Sequence, residues 1–180
     1  MTRQKARELL HAMTKTDSLR RHARTVELVM EALAEQVGGD KEAFAITGLL
    51  HDADYEQYPE QHPNIIVDKL NQLGEKEIAH AIAGHYTKWG VERISMMDKC
   101  IVAADELTGF IVAVALIRPT KIVGMKVKSV MKKFKTRTFA AKVDREEVLK
   151  GAELIDWELR ELIEFIIPVL QANKEELLLV

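Results

Sequence analysis

The stretch Phe44-Ala45-Ile46-Thr47-Gly48-Leu49-Leu50 constrains the fold of this chain more than any other. It follows a capping residue, Asp40, and is apolar around most of a helical circumference. A helix of that kind has no face to offer water, so it must lie in the middle of other elements. It ends in His51-Asp52. Burying two ionisable side chains costs several kcal/mol unless something compensates, and a bound cation is an efficient compensator. Gly48, one turn before His51, leaves room beside those side chains.

The elements available to surround that helix are helices as well. After Thr16-Asp17-Ser18, which offers capping side chains, Leu19, Ala23, Val26, Met30 and Leu33 recur at intervals of three and four until Gly38-Gly39. Asp54 to Gln61 is a polar loop broken by Pro59, and Pro63 suits the first turn of a helix ending near Leu73-Gly74. Further helices are expected from Glu75 to His85, Ile94 to Ile117, Arg145 to Leu154 and Asp156 to Asn173. No strand-like alternation, internal repeat or low-complexity linker interrupts them. The 180 residues, 47% hydrophobic and 30% charged, therefore read as one all-α domain spanning 1–180.

Several function classes drop out. The apolar run Phe110 to Ile117 is far shorter than the ~18 residues of a membrane span and reads as a buried core helix. Cys100 is the sole cysteine, which excludes a disulfide framework and a cysteine-based zinc site; its apolar surroundings suit a buried structural thiol. Ser18, Ser95 and Ser129 lack a glycine-flanked elbow, and neither a P-loop nor GxGxxG is present. The mixed, charged start lacks a secretory pattern, which points to the cytoplasm. Net charge is only −2, but no Asp or Glu occurs between Glu106 and Asp144, a gap holding nine lysines and arginines. This basic segment, about 119–142 and expected to be helical, concentrates positive potential.

Three other segments each send an ionisable group inward. His22 lies on the apolar stripe between Leu19 and Val26. His85 shares a stripe with Ile78 and Ile82, and Asp105 follows Ile101-Val102-Ala103-Ala104. Together with His51 and Asp52 they suggest a metal site shared among helices. Imidazole with carboxylate suits iron, manganese, nickel, cobalt or zinc. His80, about 140° around the helix from His85 and beside Lys76 and Glu77, and His11, near the start, read as peripheral.

The order His22, His51-Asp52, His85, Asp105 resembles the HD-domain superfamily of metal-dependent phosphohydrolases. Ala81-Ile82-Ala83-Gly84-His85, followed by Met97 through Asp105, is similar to the bacterial HD-type diadenosine tetraphosphate hydrolases. Asp105-Glu106-Leu107-Thr108-Gly109-Phe110 and Ala115 through Pro119 also resemble a poorly assigned branch of predicted HD hydrolases. The resemblance covers about residues 18–110, the metal-binding core, with C-terminal helices at about 145–173 as additions to the bundle. It implies one or two divalent metals. His22, His51, Asp52 and Asp105 would be the basal ligands, with Asp52 bridging to a second position completed by His62 and His85. The chain departs from many relatives at His51-Asp52-Ala53-Asp54-Tyr55, where no lysine follows the pair. Asp54 is then a candidate catalytic base, or a partner orienting a ligand. No GYP motif is present, which argues against a cyclic dinucleotide phosphodiesterase.

The expected activity is hydrolysis of a phosphate ester or phosphoanhydride, with a nucleotide as substrate. Metal would lower the pKa of water toward ~7 and neutralise phosphoryl charge. Lys126, Lys128, Lys132, Lys133, Lys135 and Arg137 would hold outer phosphates. The alternative is a non-catalytic HD scaffold that binds a nucleotide or nucleic acid through the basic segment. Nucleic acid is the weaker form of it, because Phe110, Phe134 and Phe139 are the only aromatics there to stack on bases.

Overall fold

Segments with helical periodicity form helices in the computed structural model, which describes all 180 residues and contains no strand. The order is α1 Arg3–Met13, α2 Asp17–Val37, α3 Lys41–Leu50, α4 Asn64–Gln72, α5 Lys76–His85, a 3-10 turn Thr87–Trp89, α6 Met96–Leu116, α7 Val127–Phe134, α8 Arg145–Leu154 and α9 Leu159–Ala172. The chain divides into two compact units, Met1–Val102 and Ala103–Val180, with α6 contributing residues to both. No helix is long and apolar enough to cross a membrane.

In the first unit, α3 is buried along Phe44 to Leu50, and its main neighbour is α2. Asp40 caps it by accepting from the amides of Glu42 and Ala43 at 2.9 and 3.1 Å. Gly48 decides how closely the two helices approach. A Cβ there would lie 2.7 Å from the Val26 carbonyl oxygen and 2.9 Å from the Glu27 amide nitrogen. Helix backbones touch at this point, and only glycine permits it. Gly38, left-handed at φ 68°, ends α2 as its sequence predicts.

Helix α1 buries a short apolar stripe of Ala6, Leu10 and Met13. Charge also holds it in place. Glu27 of α2 is fully buried, with Arg24 at 2.8 Å and, from α1, Arg7 at 3.4 Å and Arg3 at 3.8 Å. Arg3 also donates to Glu31 and Glu42, and its hydrogen bond to Glu31 holds that carboxyl below the ordinary range. The end of α1 then fastens the 51–63 loop. The Thr14 hydroxyl donates to the Ala53 carbonyl at 2.9 Å, and Gln57 donates to the Met13 carbonyl. Thr16 does not cap α2 with its side chain as expected. Its hydroxyl donates to Glu56, which also accepts from the Lys15 and Thr16 amides.

The second unit is organised around Arg145. This guanidinium is 7% exposed and sits 5.0 Å from the Phe110 ring centre and 5.8 Å from that of Phe134. It donates to the carbonyls of Phe139, Ala140 and Val143, which folds the turn before α8. Phe134 and Phe139 each meet Phe110 edge-on at 5.6 Å. Of the basic segment expected to be helical over about 119–142, only Val127–Phe134 forms a helix, and turns occupy most of the remainder. The final residues return to the core: Leu177 and Leu179 are buried, and the Leu179 carbonyl accepts from the Ile122 amide.

Two tests follow from this packing. Gly48→Ala gains ~1 kcal/mol of helix propensity but forces α2 from α3, so net destabilisation of about 1–3 kcal/mol is expected. Chemical denaturation measures it, and an alanine variant of equal stability would contradict the close approach. Burial pushes the Cys100 thiol up to about 12 from an ordinary 9.0. Its thiolate forms more readily in the unfolded chain, so this thiol favours the fold at neutral pH and loses that effect as pH rises from 9 toward 12. At neutral pH Cys100 should resist an aromatic disulfide reagent until denaturant is added; rapid native reaction would contradict its burial.

Candidate metal centre

Three backbone or side-chain acceptors aim three imidazoles at one carboxylate, that of Asp52. His51, just past the end of α3, has Nδ1 2.8 Å from the Gly48 carbonyl oxygen. His85, the last residue of α5, has Nδ1 2.5 Å from the Ile82 carbonyl oxygen. His62, in the loop before α4, has Nδ1 2.6 Å from Asp54 Oδ1. A carbonyl or carboxylate only accepts, so each Nδ1 donates, and a neutral ring then presents its lone pair at Nε2. All three side chains are at most 3% exposed.

These Nε2 atoms converge on Asp52. Its Oδ2 faces His51 Nε2 at 3.5 Å and His22 Nε2 at 3.7 Å, and its Oδ1 faces His62 Nε2 at 3.3 Å and His85 Nε2 at 3.7 Å. His22, contributed by α2, also places Nε2 3.2 Å from His51 Nε2. Lone pairs held this close to one another and to a carboxylate repel unless a positive charge lies among them, either protons or a metal ion. Donors about 2.0–2.2 Å from one metal at right or tetrahedral angles stand roughly 2.8–3.6 Å apart. The observed separations of 3.2–3.7 Å are close to the edges of such a polyhedron. Within the first unit, His22, His51 and Asp52 form one group able to hold a metal, and Asp52, His62 and His85 form another. Burial alone would push the Asp52 carboxyl up. Positive charge among the imidazoles, which protons on His51 and its neighbours supply when no ion does, outweighs it and holds Asp52 well below the usual carboxylate range, ionised. The donor set therefore fits a divalent transition metal.

Asp54 is fully buried. Beyond His62, its second oxygen accepts from the Ile66 amide at 3.0 Å. Of the two roles open to it from sequence, catalytic base or orienting partner, this geometry matches the second. Both oxygens are engaged in fixing His62 and the start of α4.

Asp105 is half-buried on α6, within the second unit. His80 pairs through Nδ1 with Asp98 at 3.1 Å. Asp98 also accepts from the Ile94 and Ser95 amides and the Ser95 hydroxyl at the start of α6. His11 is exposed on α1. Lys126, Lys128, Lys132, Lys135 and Arg137 are exposed in the second unit, while Lys133 lies over the Phe139 ring at 5.1 Å. Lys126 and Lys128, with Arg160 and Glu164, line a cavity of about 390 Å³. Phe134 and Phe139 each pack on Phe110, and Arg145 lies over Phe110 and Phe134, which occupies the aromatics that a strand-binding reading needs.

Sequence reasoning missed the aromatic surroundings of His62. Tyr55 and Tyr86 contact its ring at 5.3 and 5.1 Å, and the Trp89 indole nitrogen donates to its carbonyl at 2.8 Å. The only signal was compositional: the chain's three tyrosines all lie between residues 55 and 86.

Comparison with curated proteins and with solved structures gives no match. Among protein families, the model for the HD domain matches residues 19–109, just over half of the chain and the segment that carries His22, His51, Asp52, His62, His85 and Asp105. The chain belongs to the HD-domain family.

Proposed function

We propose that this protein is a metal-dependent phosphohydrolase acting on a nucleotide, with its metals held about the Asp52 carboxylate. The observation that carries the reading is the division of that carboxylate: Oδ2 faces His22 and His51, while Oδ1 faces His62 and His85. The family supports the reaction class, since HD domains are generally metal-dependent hydrolases. In this reading His22, His51 and Asp52 would hold one ion, with Asp105 the further ligand that the HD-domain pattern implies. Asp52, His62 and His85 hold the second. Divalent metal at such a site supplies an acidified water and neutralises charge on phosphoryl oxygens.

The chain's own residues do the rest. Asp52 and His22, each 23% exposed, form the side of the cluster open to a substrate, and the three buried imidazoles form its floor. Asp54 fixes the tautomer and angle of His62 and raises its basicity as a ligand. Lys126, Lys128, Lys132, Lys133, Lys135 and Arg137 remain the proposed binding surface for outer phosphates, supported by the exposure of most of them and the cavity at Lys126 and Lys128.

Elemental analysis of protein purified without chelator, then reloaded with manganese, iron or cobalt, tests this reading. One or two equivalents per chain are expected, together with phosphate release from nucleotides. Asp52→Ala should lose both the metal and the activity; turnover by a metal-free Asp52→Ala protein would contradict the mechanism. Asp54→Asn should retain the fold and weaken metal retention at the His62 position by about 10- to 100-fold. Competition titration with a fluorescent chelator measures that loss, and unchanged affinity would remove Asp54 from the design of the site.

A further inference from the structure

Exposed aromatic rings in this protein are confined to one place. Tyr55 is 46% exposed, Tyr58 41%, Tyr86 36% and Trp89 42%, whereas no phenylalanine reaches that level and Trp157 is half-buried. All four exposed rings belong to the loop and turn that flank His62. Tyr55 and Tyr86 are each braced on the His62 ring, at interplanar angles of 87° and 62°, and each leaves part of its surface in water. Trp89 is fixed by its hydrogen bond to the His62 carbonyl, and Lys88 lies over its ring at 4.9 Å. Leaving four large rings in water forgoes the burial that aromatic side chains normally obtain. Their polar tips and planar faces suit a flat, heteroatom-bearing partner better than an aliphatic one.

Resting on the phosphohydrolase reading, we infer that Tyr55, Tyr86 and Trp89 form the platform that receives the nucleobase of the substrate. His62 links the two parts of the site. One edge of this imidazole, Nε2, faces Asp52 at 3.3 Å, and its ring also touches both tyrosines. A phosphate drawn to Asp52 and His62 therefore brings whatever is attached to it alongside those rings. Stacking tolerates any base because each has a π face, so the platform selects for a base over none and discriminates weakly among bases. Recognition of this kind lies with rings rather than hydroxyls, so phenylalanine substitutes for tyrosine in it.

Equilibrium binding of adenosine 5′-monophosphate and of ribose 5-phosphate to the manganese-loaded protein, read over times short against turnover, tests the assignment. The two probes share the phosphate and sugar and differ in the base. The base should tighten binding by roughly 5- to 150-fold. The Tyr55→Phe, Tyr86→Phe double variant should keep that ratio, and the Tyr55→Leu, Tyr86→Leu double variant should bring it within about 3-fold, near the lower limit of stacking. Equal affinities for the two probes in the wild-type protein, which requires no variant to fold, would overturn the platform and leave the phosphohydrolase reading intact. A ratio that survives the leucine substitutions would also overturn it. If neither probe binds and no phosphate ester is hydrolysed, the platform falls together with the reading on which it rests.

Discussion

A carboxylate surrounded by four imidazole nitrogens at 3.3–3.7 Å is the arrangement on which the rest of the first unit depends. Three of those rings have their orientation set by acceptors at Nδ1, so they cannot turn away to relieve the repulsion of their lone pairs. Positive charge must occupy the centre, and the spacing of the donors suits a metal ion bonded to several of them at once. The surrounding structure holds these groups in place. That preorganisation is what a metal site needs to bind tightly.

The support is built from ordinary helix physics. Gly48 lets α2 and α3 meet backbone to backbone, which brings His22 on one helix within 3.2 Å of His51 at the end of the other. The fully buried Glu27, five residues after His22, is neutralised by arginines of α1 and α2 and so fixes α1 across them. That helix in turn holds the loop carrying Asp52, Asp54 and Tyr55 through Thr14, Gln57 and the backbone partners of Glu56. In the second unit, Arg145 plays the organising part: its guanidinium gathers three carbonyls and two phenylalanine rings into one cluster.

Much of this was legible because burial leaves a periodic signature. The apolar circumference of α3, the stripe through His22 and the stripe through His85 each identified a histidine turned inward, and the structure brings all three to Asp52. The resemblance to HD domains supplied His62, which no periodicity marks, since it lies in a loop. What sequence did not show are interactions whose partners are distant along the chain. Asp54 read as a residue of a polar loop, yet its partners His62 and Ile66 lie eight and twelve positions on. Helix α1 presents only a short apolar stripe, Ala6, Leu10 and Met13, and ion pairs through Arg3 and Arg7 complete its attachment. The tyrosine cluster was invisible for a related reason: exposed rings follow no helical period, and only the fold shows that they share one histidine.

Anomalous diffraction from crystals grown with manganese tests the central claim most directly. Anomalous density is expected within about 2.0–2.2 Å of Asp52 and of the Nε2 atoms of His22 and His51, with the second position between Asp52, His62 and His85. Crystals that show no anomalous density at Asp52 would contradict it, leaving protons as the charges that hold these groups together.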